Sequence, residues 1–252
     1  MTLVTLIRDL HRRKARERRG LALAEGVRLV EEMVAANVRC KGALVSPSLD
    51  ATERGQALRA RLVAGQVDLH EVSDDELAEA AATEQPQGIV AAYEPAQWQL
   101  ADLMNGIGKP LLVLDAVQDP GNVGTIARTA LAFGAAGIVA LPGTADLTNP
   151  KTVRGAMGAL FRLPHLHADD ESVLSLCAER DIETWAATMD GGDIDELPTN
   201  RAVALIVGNE GAGIRDELLA RVAHRVTIRI QPDSESLNVA VATGILLHRM
   251  AR

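Results

Sequence analysis

Three segments of this 252-residue chain combine glycine with polar side chains in patterns suited to holding a ligand. The first, Asp115-Ala116-Val117-Gln118-Asp119-Pro120-Gly121-Asn122-Val123-Gly124, runs into Thr125-Ile126-Ala127-Arg128. Asn122 reads as an N-cap. Arg128 then falls on a helix otherwise made of Ile126, Ala127, Ala130, Leu131 and Phe133. A guanidinium on so apolar a helix needs a partner, either an internal carboxylate or an anion gripped in bidentate fashion, such as an RNA phosphate. The second, Val207-Gly208-Asn209-Glu210-Gly211-Ala212-Gly213, has three glycines, which let a ligand approach the backbone closely. Its glycine spacing is neither the G-x-G-x-x-G dinucleotide fingerprint nor a Walker A loop. Glu210 repels a phosphate, so a neutral or cationic ligand suits this loop, for example a sulfonium such as S-adenosylmethionine. The third, Gln231-Pro232-Asp233-Ser234-Glu235-Ser236-Leu237-Asn238, offers several helix caps in a row. Ser236 and Asn238 exceed what capping requires, although capping alone is the other reading.

Each segment follows a predicted strand, and the surrounding pattern says what positions it. From Pro110 onward apolar strands alternate with helices: strands at 111–114, 137–141, 182–187, 202–207 and 225–230, and helices at 122–133, 151–160, 172–180, 215–222 and 237–252. Continuous apolar strands between helices predict a mostly parallel sheet covered on both faces, with ligands beyond the carboxyl ends of its strands. The first half reads differently. Leu23, Val27, Val30 and Val34 recur at helical spacing, 43–45 is a short buried strand, 51–64 a helix and 67–72 a strand. Ser73 with Glu76 forms a capping-box signature, and 88–92 closes the half as a strand. Glu94-Pro95, Asn105-Gly106 and Gly108-Lys109-Pro110 break the pattern around one short helix at 98–104. The expected domains are therefore residues 1–96, a linker at 97–109, and residues 110–252.

Composition excludes several classes. With 47% hydrophobic and 24% charged residues the chain is an ordinary globular one, not disordered, collagenous or coiled coil. Aromatic residues make up only 2%, which argues against RNA binding by base stacking on an aromatic platform. A net charge of −8 argues against nonspecific coating of nucleic acid. Charge is nonetheless uneven, because residues 1–20 carry Arg8, Arg12, Arg13, Lys14, Arg16, Arg18 and Arg19 against Asp9 and Glu17, a local +5. This stretch is either a solvated, frayed helix or a phosphate-contacting arm. Lys151 and Arg154, one turn apart, either extend an RNA-facing surface or lie on a solvated face. No apolar run approaches the roughly 18 residues of a membrane span, and no secretory signal is visible, so a cytoplasmic location is expected. Cys40 and Cys177 read as core thiols, and His165 and His167 lack partners at metal spacing, so no metal is expected.

The three motifs, in this order, resemble the SpoU/TrmH family of RNA ribose 2′-O-methyltransferases within the SPOUT class. The resemblance rests on Asp119-Pro120-Gly121-Asn122-Val123-Gly124 with Arg128, on Gly208-Asn209-Glu210-Gly211-Ala212-Gly213, and on Ser236-Leu237-Asn238-Val239-Ala240-Val241-Ala242-Thr243-Gly244. It covers about residues 110–252. More loosely, Leu21-Ala22-Leu23-Ala24-Glu25-Gly26 and Gln87-Gly88-Ile89-Val90 are similar to the family's small α/β/α, ribosomal-protein-like substrate-binding domain. The resemblance implies an α/β fold whose C-terminal SPOUT-type parallel sheet carries a deep trefoil knot. It implies S-adenosylmethionine as cofactor, held by Val207, Gly208, Gly213, Ile228 and Leu237, with Thr188 on the adenosine side. It implies Asn122, Arg128, Glu210, Ser236 and Asn238 as the catalytic set, and a homodimer with the final helix at its interface. Arg229 departs from the family's usual proline, and 231–234 from a more glycine-rich turn.

The reaction so implied is in-line methyl transfer to a ribose 2′-hydroxyl, for which the protein aligns the atoms and helps the hydroxyl lose its proton. The family proposal makes Arg128 the base; since a guanidinium is effectively never deprotonated, gripping the adjacent phosphate is the physically easier role. Asn122 and Ser236 would orient the ribose, Asn238 would position Arg128 or the substrate, and Glu210 would organise its loop or pair with Arg128. The N-terminal domain and basic arm, with Arg12, Arg13, Arg18, Arg19, Lys151 and Arg154 as candidate contacts, favour ribosomal RNA, 23S above all, over transfer RNA. The competing class is a non-catalytic RNA-binding or ribosome-assembly factor; a nucleotide-dependent oxidoreductase ranks below it, since neither phosphate fingerprint is present.

Overall fold

The computed structural model describes residues 2–83, 86–104, 108–196, 201–231, 233 and 236–251. The chain divides into two compact units, one of residues 1–96 with 148–161, the other of 97–147 with 162–252.

In the first unit, α1 (Leu3–Leu10) is capped by the Thr2 side chain, and α2 (Arg13–Arg19) ends at Gly20 in the left-handed conformation. The basic N-terminus is thus two folded helices rather than one frayed helix. It is pinned by Arg16, 4% exposed, which donates to the carbonyls of Leu10 and His11 at 3.0 and 2.9 Å. β1 (Ala22–Glu25) follows, then α3 (Val27–Ala35). Leu23 therefore lies in a strand, opposite Ala92, and not in the helix its spacing suggested. Gly26, at φ +91°, separates the two elements, and only Val27, Val30 and Val34 share the helix. β2 (Cys40–Val45), α4 (Glu53–Ala64), β3 (Leu69–Glu71), α5 (Asp74–Ala80) and β4 (Ile89–Tyr93) complete the run. Both halves of the Ser73/Glu76 capping box form. The sheet order is β1-β4-β2-β3, with β4 antiparallel to both neighbours and β3 parallel to β2. Every residue of β1 and β4 is buried, as a sheet covered on both faces requires.

The second unit opens with a 3-10 turn at Leu100–Met104 in place of the expected short helix; the Asn105-Gly106 signal lies outside the described residues. β5 (Leu111–Asp115), α6 (Pro120–Ala132) and β6 (Gly137–Ala140) come next. Residues 148–161 belong to the first unit and carry α7 (Pro150–Ala156), which stops at Met157, at φ +48°, short of the predicted end. The ring of Phe161 there meets Tyr93 edge-on, 5.2 Å between centroids. The second unit resumes with β7 (His165–His167), a short edge strand that the sequence pattern did not suggest. α8 (Asp170–Glu179), β8 (Glu183–Asp193), β9 (Val203–Gly208), α9 (Asp216–Leu219), β10 (His224–Thr227) and α10 (Val239–Met250) follow.

All six strands are parallel, in the order β10-β8-β9-β5-β6-β7. From β5 the chain winds outward through β6 to β7, then returns to the other side of β5 for β8, β9 and β10. The winding reverses between β5 and β9, and the crevice beyond their carboxyl ends is where such sheets bind ligands. Both strands are apolar and buried almost throughout, so the sheet is a rigid floor for the loops that leave it.

Candidate active site

The first loop leaves β5 at Asp115, which is fully buried at the end of an otherwise apolar strand. A buried carboxylate needs a partner, and Arg215 supplies two hydrogen bonds, from its backbone N at 2.9 Å and its Nε at 2.7 Å. This pair ties the end of β5 to the segment that follows the second loop. The next residue, Ala116, turns the chain at φ +56°. Asp119, not Asn122, caps α6, accepting from the backbone N–H groups of Gly121 and Asn122. Pro120 occupies the first helical turn, where its missing N–H costs nothing, so the cap falls one residue before it. The Asn122 side chain is thereby left for other work.

The second loop is a closed turn. Asn209 and Gly213 exchange both backbone hydrogen bonds, at 2.9 and 3.0 Å. A Cβ on Gly208 would lie 2.3 Å from the carbonyl carbon of Gly213, so glycine at 208 is required by the turn itself before any ligand arrives. Gly213 serves its φ of +73°. From this turn Glu210 reaches the first loop. Its carboxylate accepts from the backbone N–H groups of Gln118 and Asp119, both at 3.2 Å, and from Asn122 Nδ2 at 2.9 Å. Burial pushes the Glu210 carboxyl up, but the Asn122 amide and the backbone N–H groups outweigh it and hold the group below the usual carboxylate range.

The third motif joins the same chain of contacts. Asn238 caps α10, its Oδ1 accepting from Ala240 N at 2.9 Å and Val241 N at 3.4 Å, while its Nδ2 donates to Asn122 Oδ1 at 3.1 Å. A carboxylate that only accepts stands at one end, and a helix terminus that only donates stands at the other, so the orientation of both amides is fixed. Glu210, Asn122 and Asn238 therefore form one directed relay across three loops. Asn238 bonds to Asn122 and Glu210 to the first loop, and among the described residues neither contacts Arg128.

Beside the relay is a cavity of about 570 Å³. Thr188, Val207, Gly208, Gly213, Ile228 and Leu237 all line it, as do Glu210, Ser236 and Asn238. One wall comes from an outward bulge of β8: Arg225 of β10 pairs with Ala186 and the next residue, Val226, with Gly192, leaving 187–191 looped over the cavity. Asp190 of the bulge is tied to Arg225 at 3.0 Å. The Thr188 hydroxyl beside it, the local backbone and Arg225 hold the Asp190 carboxyl below its usual range. The departure at position 229 is accommodated by ion pairs, Arg229 meeting Asp193 at 2.5 Å and Glu196 at 2.9 Å. Pro232, Ser234 and Glu235 lie outside the described residues.

The cavity's chemistry fits a cationic, partly apolar ligand. Val207, Ile228, Ile230 and Leu237 offer apolar surface, and Asp190, Glu210 and Asp216 are carboxylates, whereas the one described basic residue on the wall, Arg225, is already paired with Asp190. S-adenosylmethionine, with a flat adenine ring that packs on apolar side chains and a sulfonium, meets that description; a phosphate-bearing dinucleotide does not. Among the described residues no group of His, Cys, Asp or Glu side chains is placed to hold a metal. Cys177 is buried, its thiol pushed up to about 11 by that burial, and Cys40 is half-buried and raised for the same reason, so neither is a ready nucleophile.

Arg128 stands apart from the cavity. It is exposed on α6, with no hydrogen bond or ion pair among the described residues. The internal carboxylate partner considered for it does not exist there. The basic residues of the first unit are more engaged. Asp9 collects Arg12, Arg18 and Arg19 at 3.7, 3.1 and 2.9 Å, and Arg13 pairs with Glu17 at 2.7 Å. Lys151 is exposed in the first turn of α7, and Arg154 lies 3.9 Å from the buried Glu25. Sequence reasoning passed over Asn209 and the Asp115–Arg215 pair. Asn209 was visible beside Glu210, but a pairing across 100 positions leaves no local signal.

A parallel sheet with a ligand cavity at its switch point, walled by three polar loops and preceded by a separate small α/β unit, defines a two-part α/β enzyme that binds a cationic cofactor. Residues 109–248 match the SpoU rRNA Methylase family and residues 2–91 the MRM3-like substrate binding domain. The 23S rRNA (guanosine(2553)-2′-O)-methyltransferase RlmP of Bacillus subtilis is 34% identical over 244 residues, covering 96% of this chain and 93% of its own. The 23S rRNA (adenosine(1067)-2′-O)-methyltransferase of Streptomyces laurentii is 32% identical over 66% of this chain and 63% of its own. Among solved structures, the AdoMet-bound rRNA methyltransferase from Sinorhizobium meliloti superposes with a TM-score of 0.83 at 30% identity, covering 98% of this chain and 93% of that one. The SpoU methyltransferase AviRb from Streptomyces viridochromogenes shares the fold, with a TM-score of 0.90 at 23% identity over 100% of this chain and 97% of that one. The chain belongs to the SpoU rRNA methylase family. It is an RNA methyltransferase that takes its methyl group from S-adenosylmethionine.

Proposed function

We propose that the protein methylates a ribose 2′-hydroxyl of 23S ribosomal RNA in the cytoplasm, with residues 1–96 as RNA-binding domain, 97–109 as linker and 110–252 as methyltransferase domain. The observation that carries this reading is the Glu210–Asn122–Asn238 relay set against a cavity of cofactor chemistry, with Arg128, unpaired among the described residues, on the helix that bears Asn122. S-adenosylmethionine, when bound, supplies an activated methyl group, so the protein's work is alignment and deprotonation. Thr188, Val207, Gly208, Gly213, Ile228 and Leu237 hold the cofactor. Asn122 and Ser236 orient the ribose, and Glu210 and Asn238 fix Asn122. Arg128 grips the phosphate beside the target ribose through its fork of donors, and its charge favours the alkoxide that forms as the 2′-hydroxyl loses its proton. Bound S-adenosylmethionine would supply the methyl group to that oxygen and leave as S-adenosylhomocysteine, with the hydroxyl proton passing to solvent.

Arg12, Arg13, Arg18, Arg19, Lys151 and Arg154 contribute to RNA binding, the arginines trading their internal carboxylate partners for phosphates. The protein acts as a homodimer through α10, with Val241, 52% exposed on that helix, and Leu131, 37% exposed on α6, as apolar contacts. The test is transfer of a radiolabelled methyl group from S-adenosylmethionine to 23S rRNA and to bulk tRNA transcripts, followed by mapping of the 2′-O-methyl nucleotide. Labelling of 23S rRNA at one ribose is the expected result. Labelling of tRNA alone overturns the substrate, and labelling of neither by protein that binds the cofactor overturns the activity.

A further inference from the structure

The Asn209 side chain touches both the cofactor-facing turn and the start of the loop bearing Asn122. Its Oδ1 accepts from Gly211 N at 3.0 Å and Ala212 N at 2.9 Å, which shapes the turn that lines the cavity. Its Nδ2 donates to the Ala116 carbonyl at 2.9 Å. The partners fix the amide's orientation, since two N–H groups demand the oxygen and a carbonyl demands the nitrogen. Ala116 is no ordinary loop residue. It holds φ +56°, which an L-residue adopts only where its surroundings enforce it. It also abuts Gly143, where an added Cβ would come within 3.0 Å of the Ala116 Cβ. Two residues later Gln118 and Asp119 present the N–H groups that Glu210 holds. The direction in which Ala116 launches the chain thus decides where Asn122 arrives.

We infer that Asn209 is a positioning residue for methyl transfer: one end of its amide sets the cofactor turn and the other sets the catalytic loop, so that cofactor and ribose-orienting groups stay in register. This rests on the methyltransferase reading above. Asn209 touches neither reacting group; it acts through Ala116 and through the turn.

The two ends separate by substitution. Asn209→Asp keeps an oxygen for Gly211 and Ala212 but turns a second oxygen against the Ala116 carbonyl. Asn209→Ala removes both contacts. Three readouts apply: S-adenosylmethionine affinity by calorimetry, single-turnover methyl transfer to 23S rRNA at saturating cofactor, and backbone hydrogen exchange of segments 116–123 and 207–214. For Asn209→Asp, affinity stays within about threefold of wild type, while transfer falls by about tenfold or more and exchange quickens in 116–123 only. For Asn209→Ala, affinity also falls by about tenfold and exchange quickens in both segments. Wild-type transfer and exchange in Asn209→Asp overturns the inference. So does an equal loss of cofactor affinity in both variants, which would make Asn209 a part of the cofactor turn alone. If the wild-type protein binds the cofactor but methylates no ribosomal RNA, the substrate reading fails, while affinity and exchange still decide the role of Asn209.

Discussion

Removing the Glu210 carboxylate tests whether the relay matters to the reaction rather than to folding alone. The carboxylate accepts three hydrogen bonds, two from backbone N–H groups and one from Asn122. Bonds to a charged acceptor contribute about 1.5–3 kcal/mol each when shielded. Glu210 lies at the surface, and water takes over much of the lost acceptance at Gln118 and Asp119, so a discounted total near 2 kcal/mol is the sounder figure, roughly thirtyfold in rate. In Glu210→Ala, single-turnover methyl transfer at saturating cofactor and RNA should fall by about that factor. In Glu210→Gln one oxygen still accepts, and the fall should be about fivefold. Cofactor affinity by calorimetry should stay near wild type in both, because the bonds at stake hold Asn122 and its loop rather than the cavity wall. Unchanged rates in both variants, or a loss confined to cofactor affinity, would refute the relay as a catalytic scaffold. The pH dependence has a definite sign. The folded carboxyl lies below its unfolded value of about 4.3, so the contribution of Glu210 is complete above that pH and is lost as pH falls through the folded value. The melting-temperature gap between wild type and Glu210→Ala should be constant from neutral pH down to about 5 and close in stronger acid.

Three further outcomes follow from the same geometry. Arg128→Ala should abolish transfer while leaving S-adenosylmethionine affinity intact, and Arg128→Lys should not restore it, because an ammonium lacks the guanidinium fork; equal loss of binding and transfer would remove Arg128 from the RNA side. Ala242→Phe, which projects a ring into the cavity from α10, should weaken cofactor affinity by about tenfold or more with little change in melting temperature, and unaltered affinity would place the cofactor elsewhere. Asp115→Ala should destabilise the fold by about 2 kcal/mol in denaturant titration, since it removes the acceptor of the Arg215 backbone N–H and Nε, while Asp170, 3.8 Å from Nη2, still neighbours the partly exposed guanidinium; a change below about 0.5 kcal/mol would mean that the pair does not hold the loops together.

The sequence alone determined most of what repeats locally. The apolar strands of the second half, the helices between them and the Ser73/Glu76 cap follow from periodicity and short-range hydrogen bonding, which act over a few residues and so are written in consecutive letters. The three loops were legible for a related reason: glycine and polar side chains at strand ends have few structural duties, so their presence signals a ligand. Where local signals conflicted, tertiary contacts decided. Leu23 fits a helical spacing, yet it pairs with Ala92, because a strand edge 69 residues away offered it backbone partners. Asn122 suited a cap, yet Asp119 took that place and released it. Only the folded sheet brings Glu210, Asn122 and Asn238 into one relay, and only it reveals that Gly208 is small because Gly213 crosses it. Such contacts depend on the order of β9 beside β5, a property of how the chain winds, and no stretch of neighbouring residues encodes it.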